Sequence, residues 1–151
     1  MAISSEKKLP SQENLLLDYM RRLEKHKEDR KVVHLHLSLL RPMNRREQPI
    51  RTATGNFDNI VNSMDGQVFT VKNSDIFVIY KKTVHPQVET AVQQIRYLFG
   101  DDPLIVEEGH SDKKFASWYD AEQDFDSVLQ TVQGMAHAEQ KRQIEVRGRM
   151  D

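Results

Sequence analysis

His34 and His36 stand two residues apart in an alternating run. On a strand that spacing projects both imidazoles from one face. Imidazoles so placed can ligate a transition metal. The spacing supplies no third ligand, however, and Ser38, next on that face, is a poor one. The reading therefore favours structural or partly exposed histidines over a metal site. Arg41, Arg45, Arg46 and Arg51 gather after the same run, with only Glu47 among them to offset the charge. Guanidinium forks clamp phosphates and carboxylates, so this group is the candidate anion- or partner-binding site, set against the plainer reading of a solvated loop and helix start. Asp101-Asp102 and Glu107-Glu108 are acidic pairs that a turn and a polar loop explain. No Ser-His-Asp order and no glycine-rich phosphate loop stands out, so nothing points to hydrolase or kinase chemistry.

The rest of the composition narrows the field further. The chain has 151 residues, enough for one domain with one core. It has no cysteine, which removes disulfides, thiolate metal sites and a cysteine nucleophile. Lysine and arginine total 22 against 23 acidic residues, a net charge of -1 that gives no electrostatic case for nonspecific nucleic-acid or membrane binding. No apolar run is long enough to cross a bilayer, and Met1 to Lys8 lacks the apolar core of a signal peptide. A soluble, cytoplasmic chain is expected.

The elements that must position these residues follow from periodicity. Residues 1–10 are polar and read as a flexible N-terminus. Ser11 is a natural N-cap, and Leu16, Tyr19, Met20 and Leu23 at helical spacing predict a helix to about Arg30. Its other face, from Arg21 through Lys31, reads as a solvated charged face. Val32 to Leu40 reads as a strand, with Val33, Leu35, Leu37 and Leu39 on one face and His34, His36, Ser38 and Leu40 on the other. A helix is predicted from about Glu47 to Met64, with Ile50, Ala53, Phe57, Ile60, Val61 and Met64 on its stripe, and Gly55-Asn56 as a place where it can split.

Gln67–Val71 and Ile76–Tyr80 alternate around the short polar turn Asn73-Ser74-Asp75 and read as a hairpin. His85-Pro86 opens a helix with Val88, Ala91, Val92, Ile95, Leu98 and Phe99 inward, ended by Gly100. Leu104-Ile105-Val106 is a short apolar run, a polar loop spans Glu107 to Lys114, and Phe115 to Tyr119 is a further strand. Asp120 with Gln123 suggests a capping box for a last helix carrying Phe125, Val128, Leu129, Val132 and Met135. From His137 the stripe fades, so residues 137–151 read as a tail or linker after a domain spanning 11–136, as in a fragment of a longer protein. The order is a helix, then β-α-β-β-α-β, then a helix. It predicts an α+β fold, a split βαβ, ferredoxin-like antiparallel sheet with helices on one face plus extra N- and C-terminal helices.

At this level the chain resembles the GGDEF (diguanylate cyclase) family, a bacterial-type signalling family. Leu9-Pro10-Ser11, followed by Leu15 through Glu24, resembles that family's opening signature and helix. Asn73-Ser74-Asp75-Ile76-Phe77 sits where the family has Gly-Gly-Asp-Glu-Phe, and Asp75 and Phe77 match. The resemblance implies a site for two divalent cations held by first-strand and hairpin carboxylates. Ser38 and Leu40 stand where the family has its first-strand aspartates, Ile76 replaces the turn glutamate, and Asn73 and Ser74 replace the glycines. Only Asp75 remains of the metal set. No arginine lies between Ile60 and Lys72, where the family's inhibitory site needs one.

The resulting expectation is a catalytically inactive GGDEF-like regulatory module, without cofactor or bound metal, that contacts another protein or a second copy of itself through the first or last helix. A non-catalytic nucleotide or cyclic-dinucleotide sensor using the arginine group is the alternative, and an enzyme with unrecognised chemistry comes third. An RNA-binding module of split βαβ type would need stacking aromatics on the central strands, which hold histidines and leucines instead. Phe115, Trp118 and Tyr119 are expected in the core.

Overall fold

A computed structural model describes residues 11–108 and 114–150. Strands β1 (Arg30–Leu35), β2 (Gly66–Thr70), β3 (Ile76–Lys81) and β4 (Ala116–Asp120) form one sheet in the order β2-β3-β1-β4. All neighbouring pairs are antiparallel. The fold is therefore α+β with the ferredoxin-like arrangement that the element order predicts.

Alternation along the strands divides the core. Val33, Leu35, Ile76, Val78 and Tyr80 face one side, where they pack with Ile50, Ala53, Phe57, Val88, Val92 and Ile95. These come from α2 (Glu47–Gly55), the Phe57 corner and α4 (His85–Leu98). Val32, Phe77 and Ile79 face the other side, against Leu16, Met20 and Leu23 of α1 (Gln12–Leu23) and Phe125, Val128 and Val132 of α6 (Phe125–Met150). The terminal helices are thus the second cover of the sheet. The run Ile76 to Tyr80 is buried at every position, as a strand must be when both its faces are covered.

Several boundaries differ from expectation. Ser11 does cap α1, accepting from Asn14 N at 3.2 Å. The helix stops at Leu23, short of Arg30, and passes into a 3₁₀ segment, Glu24–Asp29, kinked at His26. β1 ends at Leu35 and does not reach Leu40. His36 N still pairs with Phe115 O at 2.8 Å, but Leu39 N turns back to His36 O and Leu40 N to Leu37 O, both at 3.1 Å. Leu37 and Leu40 are consequently buried together while Leu39 is 57% exposed. The helix after Arg46 splits at Gly55-Asn56 into α2 and α3 (Asp58–Asn62). Met64 is 81% exposed, off the stripe, because the chain leaves the helix there with a positive φ of 65°. Leu98 likewise lies outside the core, at 44% exposure, at the fraying end of α4.

The apolar run at Leu104 is helical, α5 (Pro103–Glu108). Asp102 starts it by accepting from Leu104 N at 3.0 Å, and Pro103 suits the first turn. Asp120 accepts from Glu122 N and Gln123 N at 2.9 and 3.3 Å, but this caps only a turn. α6 begins at Phe125, where Asp124 O accepts from Val128 N. It then continues through the segment that reads as a tail, and the last buried position among its described side chains is Glu139. Residues 1–10, with the Leu9-Pro10 part of the family signature, and most of the loop from Glu107 to Lys114 lie outside the described residues. Among the described residues, no helix is long and apolar enough to cross a membrane.

Candidate functional site

The end of β1, the start of β3 and the start of β4 meet at one end of the sheet, where Leu35 lies opposite Ile76 and His34 opposite Ser117. His34 projects toward the α1/α6 side. Its ring stacks on Phe77 with centroids 4.0 Å apart and planes at 21°, which fixes the imidazole plane. Asp75 immediately precedes β3 and is 4% exposed. The turn holds it there: Val71 N donates to Asp75 O at 2.9 Å, and Asp75 N donates to Asn73 Oδ1 at 3.0 Å.

Asp75 uses both carboxylate oxygens inside the fold. Oδ2 lies 2.8 Å from His34 Nε2, and Oδ1 accepts from Ser38 N at 2.8 Å. Against an ionised carboxylate, His34 must carry its proton on Nε2. Burial works against the Asp75 charge, but the hydrogen bonds from His34 and Ser38 outweigh it and hold the carboxyl below the usual 3.8. His36, half-buried, lies with its ring centroid 4.0 Å from that of His34. Its Nε2 is 2.7 Å from Ser117 Oγ. One ligand-capable atom from each of His34, His36 and Asp75 falls within 4.8 Å of the others. The structure thus supplies the third donor that the His-x-His spacing lacked.

The positions that the family resemblance singled out separate. Ser38 contributes both its backbone N–H and its hydroxyl to Asp75. Leu40 is buried in the core at 3% exposure, and Ile76 at 0%. Both pack into the core cluster on the α2/α4 side of the sheet. Asn73 holds the turn. Ser74 takes a left-handed φ of 81°, a conformation natural to glycine.

The arginines separate as well. Arg41 turns toward the α4–α5 junction, where its backbone N donates to Asp102 Oδ2 at 2.9 Å and its side chain lies 3.7 Å from the same atom. Arg45 and Arg51 line a groove of about 370 Å³ together with the acidic Glu47 and with Ile50, Thr54, Thr70, Val71 and Ser74. Arg45 Nε donates to Leu40 O at 2.9 Å, and Arg51 pairs with Glu47 one turn earlier on α2. Arg46 is exposed and lies outside that lining.

Asp102 is the buried group that the sequence reading passed over as a turn residue. It is 1% exposed and accepts from Arg41 N, from Asn44 Nδ2 at 2.8 Å and from Leu104 N. Burial again opposes its charge, and those donors keep its carboxyl below 3.8. The Asp-Pro step before an apolar run was the available signal, since it marks a helix start.

Compared with known protein families, curated proteins and solved structures, the chain gives no match. The site has to be read from its own atoms. Of the aromatic strand, Phe115 is buried while Trp118 and Tyr119 are partly so, packed against opposite clusters. With both sheet faces under helices, the platform on which an RNA-recognition sheet stacks bases is covered.

Proposed function

We propose that this chain is a GGDEF-like regulatory module that works in intracellular signalling by contacting another protein, without turning over a nucleotide. The observation that carries this reading is the state of Asp75. Both of its oxygens serve the fold, and the other positions at which the family's chemistry needs carboxylates hold a core leucine, a core isoleucine and a serine whose backbone N–H and hydroxyl both bond to Asp75. A two-metal phosphoryl-transfer site needs several anionic oxygens to hold paired cations. Among the described residues, the cluster around Asp75 brings histidines and no second carboxylate.

Partner contact has a surface to use. Beyond Glu139 every α6 side chain described is exposed, including Ile144 at 62% and Val146 at 41%. The test has two arms. Pure protein incubated with GTP and Mg²⁺ yields no cyclic di-GMP; detectable product overturns the reading. Pull-down and light scattering then compare the native chain with an Ile144→Asp/Val146→Asp variant and with an Arg21→Glu/Arg22→Glu variant. Unchanged association in both removes the terminal helices from the proposal.

The groove beside Ser74 favours a second reading, a non-catalytic nucleotide sensor. Arg45 and Arg51 flank a space of about 370 Å³, and guanidinium groups suit phosphate. A ligand that prefers the native state raises its melting temperature. GTP or cyclic di-GMP should then stabilise the native chain and fail to stabilise an Arg45→Ala/Arg51→Ala variant. No shift with any nucleotide rejects the sensor.

A further inference from the structure

We propose that His34, His36 and Asp75 form a binding site for a late first-row divalent ion of the Zn²⁺ class. This goes beyond the interaction-module reading and does not depend on it. Two imidazole nitrogens and one carboxylate oxygen are a donor set that selects zinc and its neighbours. Magnesium and calcium, which require mostly oxygen, are poorly served by it. The three ligand-capable atoms already lie within 4.8 Å of one another. Metal–ligand bonds of about 2.0–2.2 Å with tetrahedral angles hold ligand atoms roughly 3.3 Å apart. The His34 Nε2 to Asp75 Oδ2 separation of 2.8 Å therefore needs only a small opening, with the shared proton leaving as the ion enters.

The surroundings are arranged as supports for ligands. Ser38 N fixes Asp75 Oδ1 at 2.8 Å and leaves Oδ2 as the oxygen turned to the histidines. The Phe77 stack at 4.0 Å fixes the His34 plane. Such outer contacts orient ligands and commonly change metal affinity by roughly 10–100-fold when lost. His34 and Asp75 are buried, at 7% and 4% exposure, whereas His36 is half-buried and gives the ion its entry side. Ser117 Oγ, at 2.7 Å from His36 Nε2, exchanges its hydrogen bond as His36 turns to the ion. Three protein ligands leave a fourth position for water or for a donor brought by a partner. The ion would tie the end of β1 to the hairpin turn, which Asp75 already joins to His34 and Ser38.

The experiment uses the full chain without an affinity tag and Zn²⁺ alone as probe, in competition with a chromophoric chelator. One Zn²⁺ per chain is expected, with affinity at least roughly tenfold weaker in His36→Gln, a substitution at the half-buried position that leaves the His34–Asp75 contact in place. Circular dichroism and melting check that the variant folds. Should it not fold, imidazole NMR of the native chain decides: Zn²⁺ should move the His34 and His36 resonances before those of His26, His85, His110 and His137. Three results overturn the proposal: no stoichiometric binding, binding unchanged in folded His36→Gln, or shifts confined to the other histidines. An equal rise in melting temperature with Mg²⁺ overturns the choice of ion class.

Discussion

Asp75 and Asp102 are two buried carboxylates solved by two different sets of donors. Asp102 is held by two backbone N–H groups and an asparagine amide, with the Arg41 guanidinium 3.7 Å away, and none of these donors titrates near neutral pH. Asp75 is held by the backbone N–H and hydroxyl of Ser38 and by one imidazole. The first arrangement is a fixed joint between the loop after β1 and the start of α5. The second keeps one partner that can be exchanged. What separates a structural carboxylate from a candidate ligand here is therefore not burial, which is nearly equal, but whether a neighbour can release it.

The largest expected effect tests the fixed joint. Asp102→Ala leaves buried donors unpaired and should cost about 3 kcal/mol, from the usual penalty per orphaned polar group. Urea unfolding measures it. Asp75→Asn keeps an acceptor for Ser38 N and can still meet a neutral imidazole, so about 1 kcal/mol is expected. Equal losses in the two variants would break the comparison. The Asp102 charge also predicts a pH dependence. Its folded carboxyl lies below the ordinary 3.8, so its contribution is complete above about pH 4 and is lost as pH falls through the lower folded value. An Asp102→Asn variant should show a flatter stability profile below pH 4, and a profile parallel to the native one contradicts the assignment. The smallest effect has the opposite sign. Ser74→Gly relieves a residue held at φ 81° and should leave the hairpin level or more stable by up to about 1 kcal/mol; a clear loss would mean that the Ser74 side chain makes a needed contact.

The fold was legible where one periodicity dominated. The hairpin around Asn73-Ser74-Asp75, the α4 stripe apart from Leu98 and the element order all read directly from spacing. Local patterns failed where distant partners decided. Val32 to Leu40 alternates well enough for a nine-residue strand, yet Asp75 takes the Ser38 N–H and Leu37 and Leu40 fall into the core, so the chain turns at His36. Leu104 to Val106 offers three apolar residues, too few to tell strand from helix, and the Asp102 cap decides. The site was half legible. The two histidines were visible from spacing, but their third companion lies 41 positions from His34. It becomes visible only when β1 and β3 are paired in register, which places Asp75 just beyond the Leu35–Ile76 pair.

The sheet lies between two helical layers, with β2 and β4 at its margins. Backbone amides of β1 and β3 are locked on both flanks, while those pointing outward from β2 and β4 have no strand beyond them among the described residues. Deuterium should enter those two rims first and the middle pair last. Any chain that docks onto this sheet must add itself along a rim.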